Sequence, residues 1–253
     1  MSGTRDEKPP VLLVTGGSRG IGAEIVRGAA RRGWAVAFSY VQDREAARRL
    51  EDEVREAGGS AVGLQGDVAD PQAVAALFAA AEDALGPVAG LVNNAGITGR
   101  LGAFVDTDLA TLRRVLDVNV LGTMLCAREA VRRWRDRAMP GVMVNVSSVA
   151  STLGAPGEYV HYAASKAAVE AFTIGLAKEL AAGGTRVNAV SPGTAHTDIH
   201  AAAGEPGRPA RVAARIPMGR AGEPSEIAEA VLWMLSPQAS YVTGAVLRVS
   251  GGL

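Results

Sequence analysis

The sequence predicts an α/β protein built on a doubly wound parallel sheet of seven strands, with helices on both faces. Three observations lead to this prediction: short runs rich in Val, Leu and Ala recur between longer helical patterns, the runs lack apolar/polar alternation, and nothing divides the chain. Such runs are typical of parallel strands buried on both faces. The predicted strands are Val11–Thr15, Ala35–Ser39, Ala61–Gln65, Ala89–Val92, Val142–Val146, Arg186–Ser191 and Ala245–Val249.

The length of the chain favours a single domain. Its 253 residues are near the upper size for one hydrophobic core, and they contain no repeat, low-complexity segment or linker. We therefore expect a flexible tail over residues 1–10 and one domain over residues 11–253. Residues 194–222 are irregular, and their Gly and Pro content predicts a mobile loop.

Charge and cysteine content narrow the classes of partner and compartment. The 26 Lys and Arg residues balance 26 Asp and Glu residues, so neither nucleic acid nor an anionic membrane surface is an expected partner. The N-terminus lacks the apolar core of a signal peptide, and no apolar run is long enough to span a bilayer. The single cysteine, Cys126, lies in an apolar helical stretch and is expected to be a buried thiol. We expect a cytoplasmic protein with a small ligand.

One long predicted helix, Tyr159–Ala182, favours self-association. Only four of its residues between positions 163 and 180 carry charge. A helix that is apolar almost all round must be covered on more than one side. One side can pack on the sheet, and the other requires either further helices of the same chain or a partner subunit. We expect the partner subunit.

A glycine-rich turn follows the first predicted strand and precedes a helix. It runs from Thr15 to Gly22 with the sequence TGGSRGIG. Glycines let the backbone turn tightly and approach a pyrophosphate, while the helix N-terminus offers unpaired N–H donors and a favourable dipole. The spacing of Gly16, Gly20 and Gly22 is not GxGxxG, and many glycine turns only reverse the chain. The turn is therefore a candidate phosphate site that needs support from other residues.

Support comes from polar residues that follow the third and fourth predicted strands. Asp67 follows the third strand, where its carboxylate could accept a hydrogen bond from an adenine amino group or cap the next helix. The sequence NNAG, residues 93–96, ends the fourth strand. In parallel sheets ligands bind at the carboxyl ends of the strands, which is where all these residues fall.

The order of these and later motifs carries a family resemblance. The chain contains Thr15-Gly-x-x-x-Gly-x-Gly, Asp67, Asn93-Asn-Ala-Gly, Asn119, Ser148, Tyr162-x-x-x-Lys166 and Ser191-Pro-Gly, over about residues 11–253. This order resembles the short-chain dehydrogenase/reductase family. The resemblance implies a Rossmann-type fold, a tetramer, a nicotinamide dinucleotide cofactor, and hydride transfer between the nicotinamide and a carbonyl or secondary alcohol. The implied cofactor-binding residues are Gly16, Ser18, Arg19, Gly20, Ile21, Gly22, Ser39, Tyr40, Asp67, Val68, Asn94, Ala95, Gly96, Tyr162, Lys166, Pro192, Gly193 and Thr197.

The chemistry of such a reaction explains the pairing of Tyr162 with Lys166. Hydride addition to a ketone leaves negative charge on oxygen, which must be stabilised and then protonated by a positioned acid. Tyrosine has a pKa of about 10, so a nearby cation helps it to donate and accept protons near neutrality. Lys166 lies four residues later on the same helix face. The alternative is that Lys166 pairs with Glu170 and Tyr162 only packs, but lysine before glutamate is the weaker orientation for a helical ion pair.

Lysine usage in the chain supports this pairing. The sequence contains 3 lysines against 23 arginines. The chain thus uses arginine for most of its basic positions, and lysine at position 166 is an exception. A planar guanidinium does not replace a compact ammonium, so this exception supports a specific role for the lysine. Tyr159 is an alternative acid, but the residue four positions later is Ala163, so it lacks a cation and is expected to line the substrate cleft.

By resemblance, Ser148 would hydrogen-bond the substrate oxygen, Lys166 would hold the nicotinamide ribose, and Asn119 would support a proton-relay water. Asn119 could also satisfy a helix kink. Ser148 precedes Tyr162 by fourteen residues where some family members have thirteen, so Ser147 and Ser151 are competitors. Ser148 is preferred because it follows a predicted strand at the carboxyl edge of the sheet. No metal is expected, because the three histidines have no metal-ligand spacing with cysteine or a paired acid.

The residues after the second predicted strand favour NADP(H), with NAD(H) as the alternative cofactor. An NAD site usually places a carboxylate there for the ribose 2′-hydroxyl, whereas this chain has Tyr40. Asp43 lies three residues further, where it is expected to cap the next helix. Arg19, within the glycine turn, could pair with a 2′-phosphate, with Ser39 and Arg44 as additional donors.

Three functions are consistent with these motifs. The first is a reductase or dehydrogenase of a small carbonyl, sugar or secondary alcohol. The second is a reductase of 3-oxoacyl groups on acyl carrier protein, which would require a basic docking patch beside the cleft; residues 132–137 contain four arginines. The third is a non-catalytic dinucleotide-binding regulatory protein, which would not need the acid. The segment over residues 194–222 is expected to cover the cleft and set substrate specificity.

Overall fold

The computed structural model of the protein describes residues 8–253 and contains the seven-stranded parallel sheet. Of the predicted tail, residues 1–7 lie outside the described residues, and residues 8–10 are exposed. No strand boundary differs from its predicted position by more than one residue. The strands are β1 Val11–Val14, β2 Ala35–Tyr40, β3 Ser60–Gln65, β4 Val88–Asn93, β5 Val142–Val146, β6 Arg186–Pro192 and β7 Val246–Val249.

The strand order in the sheet is β3-β2-β1-β4-β5-β6-β7. The chain winds outward from β1 in one direction and then, starting at β4, in the other. The carboxyl ends of β1 and β4 therefore border the crevice where doubly wound sheets bind ligands. Register supports this placement, because Val14 at the end of β1 pairs with Val92 near the end of β4.

The prediction that the strands are buried on both faces is confirmed for β1, β2 and β5 and is wrong for the two edge strands, β3 and β7. Every residue of β1, β2 and β5 is buried. Residues of β3 and β7 are partly or fully exposed. Each edge strand has one neighbour, and the helices do not extend fully over its faces.

Two helical layers cover the sheet. Apolar residues of α1, α2 and α10 form one core with the first face, and residues of α3, α5 and α7 form a second core with the other face. The helices are α1 Gly20–Arg31, α2 Arg44–Glu56, α3 Pro71–Leu85, α4 Leu109–Leu116, α5 Thr123–Asp136, α6 Ala150–Leu153, α7 Val160–Leu180, α8 Ile199–Ala202, α9 Arg208–Val212 and α10 Pro224–Leu235.

Helix capping settles two sequence predictions. Asp43 caps α2, its carboxylate accepting the Ala46 N–H at 2.9 Å, as predicted. The cap of α3 is Asp70, which accepts the Gln72 N–H at 2.8 Å. The capping role considered for Asp67 is therefore wrong, and its carboxylate lies three residues before the cap.

The irregular segment 194–222 is partly helical. It contains α8, α9 and a 3-10 turn over Ala213–Arg215. Its inward residues Ala195, Ala203, Val212 and Ile216 are buried, so the segment packs on the domain. Across residues 8–253, every helix is too short or too polar to cross a lipid bilayer.

Candidate active site

A cavity of about 1120 Å³ lies at the carboxyl edge of the sheet. Its wall includes the glycine turn after β1, the ends of the neighbouring strands, the N-terminal part of α7 and the segment over residues 194–222. Pockets for one drug-sized ligand measure about 300–1,000 Å³, so this volume can hold a ligand at or above the upper end of that range. All eighteen predicted cofactor-binding residues line the cavity, together with Ser148. Asn119 does not line it.

The glycine turn has the backbone geometry of an anion cradle. Gly20 has φ +54°, in the left-handed region that favours glycine. A Cβ at Gly22 would lie 2.2 Å from the Gly16 carbonyl oxygen, so this approach also requires glycine. The N-cap residue of α1, Arg19, makes no side-chain capping hydrogen bond. The first N–H groups of α1 therefore face the cavity without a side-chain cap, which fits a phosphate group.

Asn94 and Thr15 tie the glycine turn to the end of β4. The Asn94 side-chain amide donates to the carbonyl oxygens of Thr15 at 3.0 Å and Gly16 at 2.9 Å. The Thr15 hydroxyl oxygen accepts the backbone N–H groups of Asn94 and Ala95, both at 3.0 Å. These hydrogen bonds shape the cavity wall. They occupy the side-chain NH2 group of Asn94, so the cofactor contact that the family resemblance implies for Asn94 falls to its other atoms.

Asp67 lines the cavity two residues after the end of β3. One carboxylate oxygen accepts the Ala69 N–H at 3.0 Å, and the other pairs with Arg114 at 2.6 Å. Arg114 also lines the cavity. The sequence carried no sign of it, because 47 residues separate it from Asp67 and only the fold brings α4 to this point.

The structure distinguishes among the three candidate serines. Ser148 lines the cavity, where its hydroxyl oxygen accepts the Ala150 N–H at 3.2 Å and the residue is close enough to Tyr162 to lower the pKa of its phenol. The hydroxyls of Ser147 and Ser151 donate instead to Glu170, at 2.8 and 2.7 Å. Ser148 is thus the serine with its hydroxyl at the phenol, although all three are close in sequence.

Lys166 is a buried cation beside the Tyr162 ring. It is 4% exposed, its Nζ lies 5.7 Å from the ring centroid, and it donates to the Val146 carbonyl oxygen at 2.8 Å. Within residues 8–253 it forms no ion pair, and the predicted alternative of a pair with Glu170 is absent. An ammonium has three donors, so two remain for a ligand. Burial lowers the pKa of Lys166 to about 8.

Tyr162 is 8% exposed and belongs to a small apolar cluster that also contains Tyr159 and Ala163. Burial raises the pKa of the Tyr162 phenol above its ordinary value, while the nearby Ser148 hydroxyl and the positive charge of Arg208 act in the opposite direction. A phenol in this setting is held neutral and is available as a proton donor.

Asn119 lies behind the cavity wall, fully buried, in a π-helical segment over Asp117–Gly122 that joins α4 to α5. Its side-chain amide donates to the Ile97 carbonyl oxygen at 2.9 Å and the Ser165 hydroxyl at 3.0 Å, and its Oδ1 accepts the Ile97 N–H at 2.9 Å. Asn119 lies in an irregular helical segment, but its side chain does not bond the backbone groups of that segment. It joins the loop after β4 to α7.

Some of the predicted donors to a 2′-phosphate line the cavity and one does not. Arg19 is exposed at the cavity wall, which Ser39 and Tyr40 also line. The Ser39 hydroxyl accepts the Gly16 N–H at 3.1 Å. Arg44, predicted as an additional donor, does not line the cavity.

The substrate half of the cavity contains residues that were not singled out as site residues. Tyr159 is buried there, as expected for a cleft residue. Arg208 and Glu158 also line the wall and pair with each other. Arg208 carried no signal in the sequence, since it is one of 23 arginines and lies in the irregular segment.

Cys126 lies away from the cavity, whereas His200 lines it. Cys126 is buried, as predicted, and burial raises the pKa of its thiol to about 12. His161 and His200 contact backbone carbonyls at 2.8 and 2.9 Å, and no cluster of metal-binding side chains occurs in the described part of the chain.

The arginine cluster at residues 132–137 is at the wrong edge of the sheet for a docking patch beside the cleft. It ends α5, where the Trp134 indole N–H donates to the carbonyl oxygen of Val88, the first residue of β4, at 2.7 Å. Arg133 and Arg137 pair with Glu82, and Arg132 pairs with Glu129. The cluster is therefore opposite the cavity and largely neutralised.

Comparison with known proteins gives extensive matches. A family model described as Enoyl-(Acyl carrier protein) reductase matches residues 16–253. The chain is 48% identical over 244 residues to the uncharacterized oxidoreductase YgfF of Escherichia coli, covering 96% of this chain and 99% of the relative. It is 42% identical over 250 residues to 3beta-hydroxysteroid dehydrogenase 1 of Eggerthella lenta, with 98% and 95% coverage. It is 40% identical over 246 residues to cis-4-hydroxycyclohexanecarboxylate dehydrogenase of Sinomonas cyclohexanicum, with 96% and 95% coverage.

Solved structures agree in fold. A short-chain type dehydrogenase/reductase from Mycobacterium marinum has a TM-score of 0.90 at 32% identity, covering 96% of this chain and 95% of the other. A blue fluorescent protein from a metagenomic library, in complex with NADPH, has a TM-score of 0.88 at 36% identity, with 98% and 99% coverage. A 3-ketoacyl-(acyl-carrier-protein) reductase from Brucella melitensis, complexed with NADH, has a TM-score of 0.88 at 31% identity, with 97% and 98% coverage. The chain therefore belongs to the short-chain dehydrogenase/reductase family of oxidoreductases.

Proposed function

We propose that the protein transfers a hydride between NADP(H) and a carbonyl or secondary alcohol, with Tyr162 as the general acid/base. The observation that carries the proposal is one continuous cavity that joins an uncapped helix N-terminus to a buried phenol, with Ser148 on the same wall and the Lys166 ammonium beside the phenol ring. NADH and NADPH bound to related structures support the choice of cofactor class.

The residues divide the work of carbonyl reduction. When bound, the reduced nicotinamide supplies a hydride to the carbonyl carbon. Ser148 holds the carbonyl oxygen next to the Tyr162 hydroxyl, and Tyr162 gives its proton to that oxygen as negative charge develops there. Lys166 stabilises the tyrosinate that remains and offers its two free donors to the nicotinamide ribose. In the oxidative direction the tyrosinate takes the proton back from the alcohol.

The substrate half of the cavity favours an apolar substrate, such as an alicyclic or aromatic ketone or the matching secondary alcohol. Apolar side chains form one part of its wall and suit an apolar ring, while two of the charged groups there, Arg208 and Glu158, pair with each other. The relatives named for a hydroxysteroid and a hydroxycyclohexane carboxylate support the same class. The apolar lining residues include Leu153, Pro156, Tyr159, Ala203, Val212 and Ile216.

Two alternatives share the fold. A reductase of 3-oxoacyl groups on acyl carrier protein is favoured by the structural match to such an enzyme, but its proposed docking patch lies at the opposite edge of the sheet. A non-catalytic dinucleotide-binding protein would not require Ser148, Tyr162 and Lys166 at one wall.

The test is NADPH-coupled turnover against a panel of sugars, aliphatic ketones, alicyclic and aromatic ketones, steroids and a 3-oxoacyl thioester. We expect turnover with the alicyclic or aromatic ketones. Activity confined to the thioester would favour the carrier-protein enzyme, and nucleotide binding without turnover of any panel member would favour the regulatory protein.

NADP(H) is expected to be preferred over NAD(H) because of Arg19. Its guanidinium stands at the cavity wall where no carboxylate follows β2 directly, and a charge-assisted contact to the 2′-phosphate contributes roughly 1.5 to 3 kcal/mol, about one to two decades of discrimination. Arg19→Ala should remove most of that preference. The measurement is kcat/KM for both cofactors in wild type and variant.

Arg44→Ala is the matched control, since Arg44 is also exposed in this region but does not line the cavity. We expect its cofactor ratio to match that of wild type. A wild-type preference for NAD(H), or an unchanged ratio in Arg19→Ala, contradicts the assignment and leaves the proposed reaction intact.

Self-association, as a tetramer by family resemblance, is expected through an apolar face that the chain leaves uncovered. Exposed side chains on α4, on α5 and on the segment joining them lie beside the outer side of α7, and a patch of this kind marks an interface. The exposed side chains of α4, α5 and the joining segment include Leu109, Leu116, Leu121 and Met124. Those of α7 include Val160 and Ile174. Light scattering at micromolar concentration should give a mass several times that of the chain.

Ile174→Glu should reduce that mass, because it places a charge in the centre of the apolar face. Arg49→Gln changes the net charge by the same amount at an exposed position of α2 and should leave the mass unchanged. A wild-type monomer would refute the expectation.

A further inference from the structure

Arg208 is a buried cation in the segment that covers the substrate half of the cavity. It is the first residue of α9, and its side chain is 10% exposed. Buried arginines need partners, because an unpaired charge away from water is strongly disfavoured. Its partners come from two other parts of the site.

The guanidinium fastens three segments together. Its Nε and Nη2 donate to one carboxylate oxygen of Glu158, at 3.1 and 2.5 Å, and its Nη1 donates to the Thr194 hydroxyl at 3.3 Å. Glu158 precedes the catalytic helix α7 by two residues, and Thr194 follows β6. Arg208 therefore joins the covering segment to the start of α7 and to the carboxyl edge of the sheet.

The same guanidinium covers the ring of Tyr159. Its central carbon lies 5.2 Å from the ring centroid, within the range of a cation–π contact. Tyr159 in turn meets Tyr162 edge to face, with centroids 5.2 Å apart and an interplanar angle of 82°. Edge-to-face contact is a favoured arrangement of aromatic pairs. A continuous path of contacts thus leads from the covering segment to the proposed acid.

Arg211 provides an internal comparison. It donates to the other carboxylate oxygen of Glu158 at 2.7 Å, but its side chain is 46% exposed. It also pairs with Glu205, and it does not line the cavity. Arg211 therefore shares the acceptor of Arg208 without the contact to Tyr159.

We propose that Arg208 is a positioning residue for Tyr162: by holding Glu158 and Tyr159 it makes closure of the covering segment and alignment of the phenol a single event. This inference rests on the proposed function, because it assigns Arg208 a role in the proton transfer by Tyr162. Arg208 acts through Tyr159 and adds a positive charge near the phenol, which favours the tyrosinate. The other titratable groups around this part of the cavity are Lys166 of α7, Glu158, Tyr159, Asp198, His200 and Arg215.

The first experiment compares Arg208→Met, Arg208→Lys and Arg211→Met in kcat, KM and the pH profile of kcat/KM. We expect Arg208→Met to lower kcat roughly tenfold or more, since small misalignments of reacting groups carry costs of this order. Its profile should also move to higher pH, because a cation near the phenol has been removed. Arg208→Lys should restore the position of the profile but not kcat, because an ammonium lacks the planar fork. Arg211→Met should stay within about twofold of wild type.

The second experiment measures amide hydrogen exchange and does not depend on turnover. Arg208→Met should increase exchange in residues 158–162 and in residues 195–215 together, whereas Arg211→Met should affect the covering segment alone. Circular dichroism confirms that each variant is folded.

The outcomes separate the two proposals. If wild type turns over no panel compound, the proposed function fails, and coupled exchange of the two segments would still show the structural link. If wild type is active and Arg208→Met matches Arg211→Met in kcat, pH profile and exchange, the role of Arg208 is overturned and the reaction stands.

Discussion

Tyr162→Phe is expected to abolish turnover while leaving cofactor affinity within a few-fold of wild type. The substitution removes the proton that the developing alkoxide needs but keeps the ring that packs on Tyr159 and Ala163. General acid catalysis contributes about 10²- to 10⁴-fold, so the loss of kcat should be at least of this order. The loss should appear in both directions of the reaction, because the same group donates and accepts the proton.

The measurement pairs steady-state kinetics with a fluorescence titration of NADPH. Tyr159→Phe is the matched control, since it removes a hydroxyl from the neighbouring ring without removing the proposed acid, and it should retain most of the turnover. Substantial activity in Tyr162→Phe would exclude the proposed mechanism. Equal losses in both variants would show that the tyrosine pair acts as a unit and that the acid is not assigned.

Lys166→Arg is expected to be severely damaging although it preserves the charge. The ammonium is 4% exposed and is held by the Val146 carbonyl oxygen at 2.8 Å, and a longer, planar guanidinium cannot take the same position with the same donor geometry. Displacement of a catalytic group by about 1 Å can cost about 10²-fold in rate. We expect a loss of this order in kcat, together with weaker NADPH binding. Near-normal turnover would show that charge alone suffices.

Lys166→Met separates the function of the cation from its effect on stability. Burial lowers the pKa of Lys166 from 10.5 to about 8, which corresponds to about 3 kcal/mol of unfavourable free energy for the buried charge. The lost hydrogen bond to Val146 offsets about 1 kcal/mol of this. The variant should therefore be inactive yet about 2 kcal/mol more stable than wild type at pH 7.

The pH dependence of this difference has a definite sign. Between pH 8 and pH 10.5 the unfolded chain holds the lysine proton and the folded chain has lost it, so the stability of wild type rises with pH across this window. Urea unfolding at pH 7 and pH 10 should show the gap between variant and wild type closing. A gap that stays constant, or a destabilised variant at pH 7, contradicts this account of the buried ammonium.

Patterns along the chain were sufficient for much of the site. Strand boundaries followed from uniform apolar runs. The glycine turn, Asp67, Tyr162 and Lys166 could be named because their order along the chain resembles that of the family, and their spacing relates them to strand ends and to one helix face. The choice of Ser148 over Ser147 and Ser151 was less secure, because neighbouring hydroxyls are equivalent in sequence. The orientation of each one relative to Glu170 and Tyr162 distinguishes them in the structure.

The sequence by itself determined the parallel sheet, because apolar runs of strand length recur along the chain. It also placed the glycine turn and the tyrosine–lysine pair, whose proposed roles follow from the family resemblance. Tertiary structure alone decided which distant charges meet. Arg114 reaches Asp67 across 47 residues and Arg208 reaches Glu158 across 50, while the arginines near residue 133 fall at the edge opposite the cavity. Such pairs depend on how helices pack on the sheet, and any of the 23 arginines would look equivalent before that packing is known.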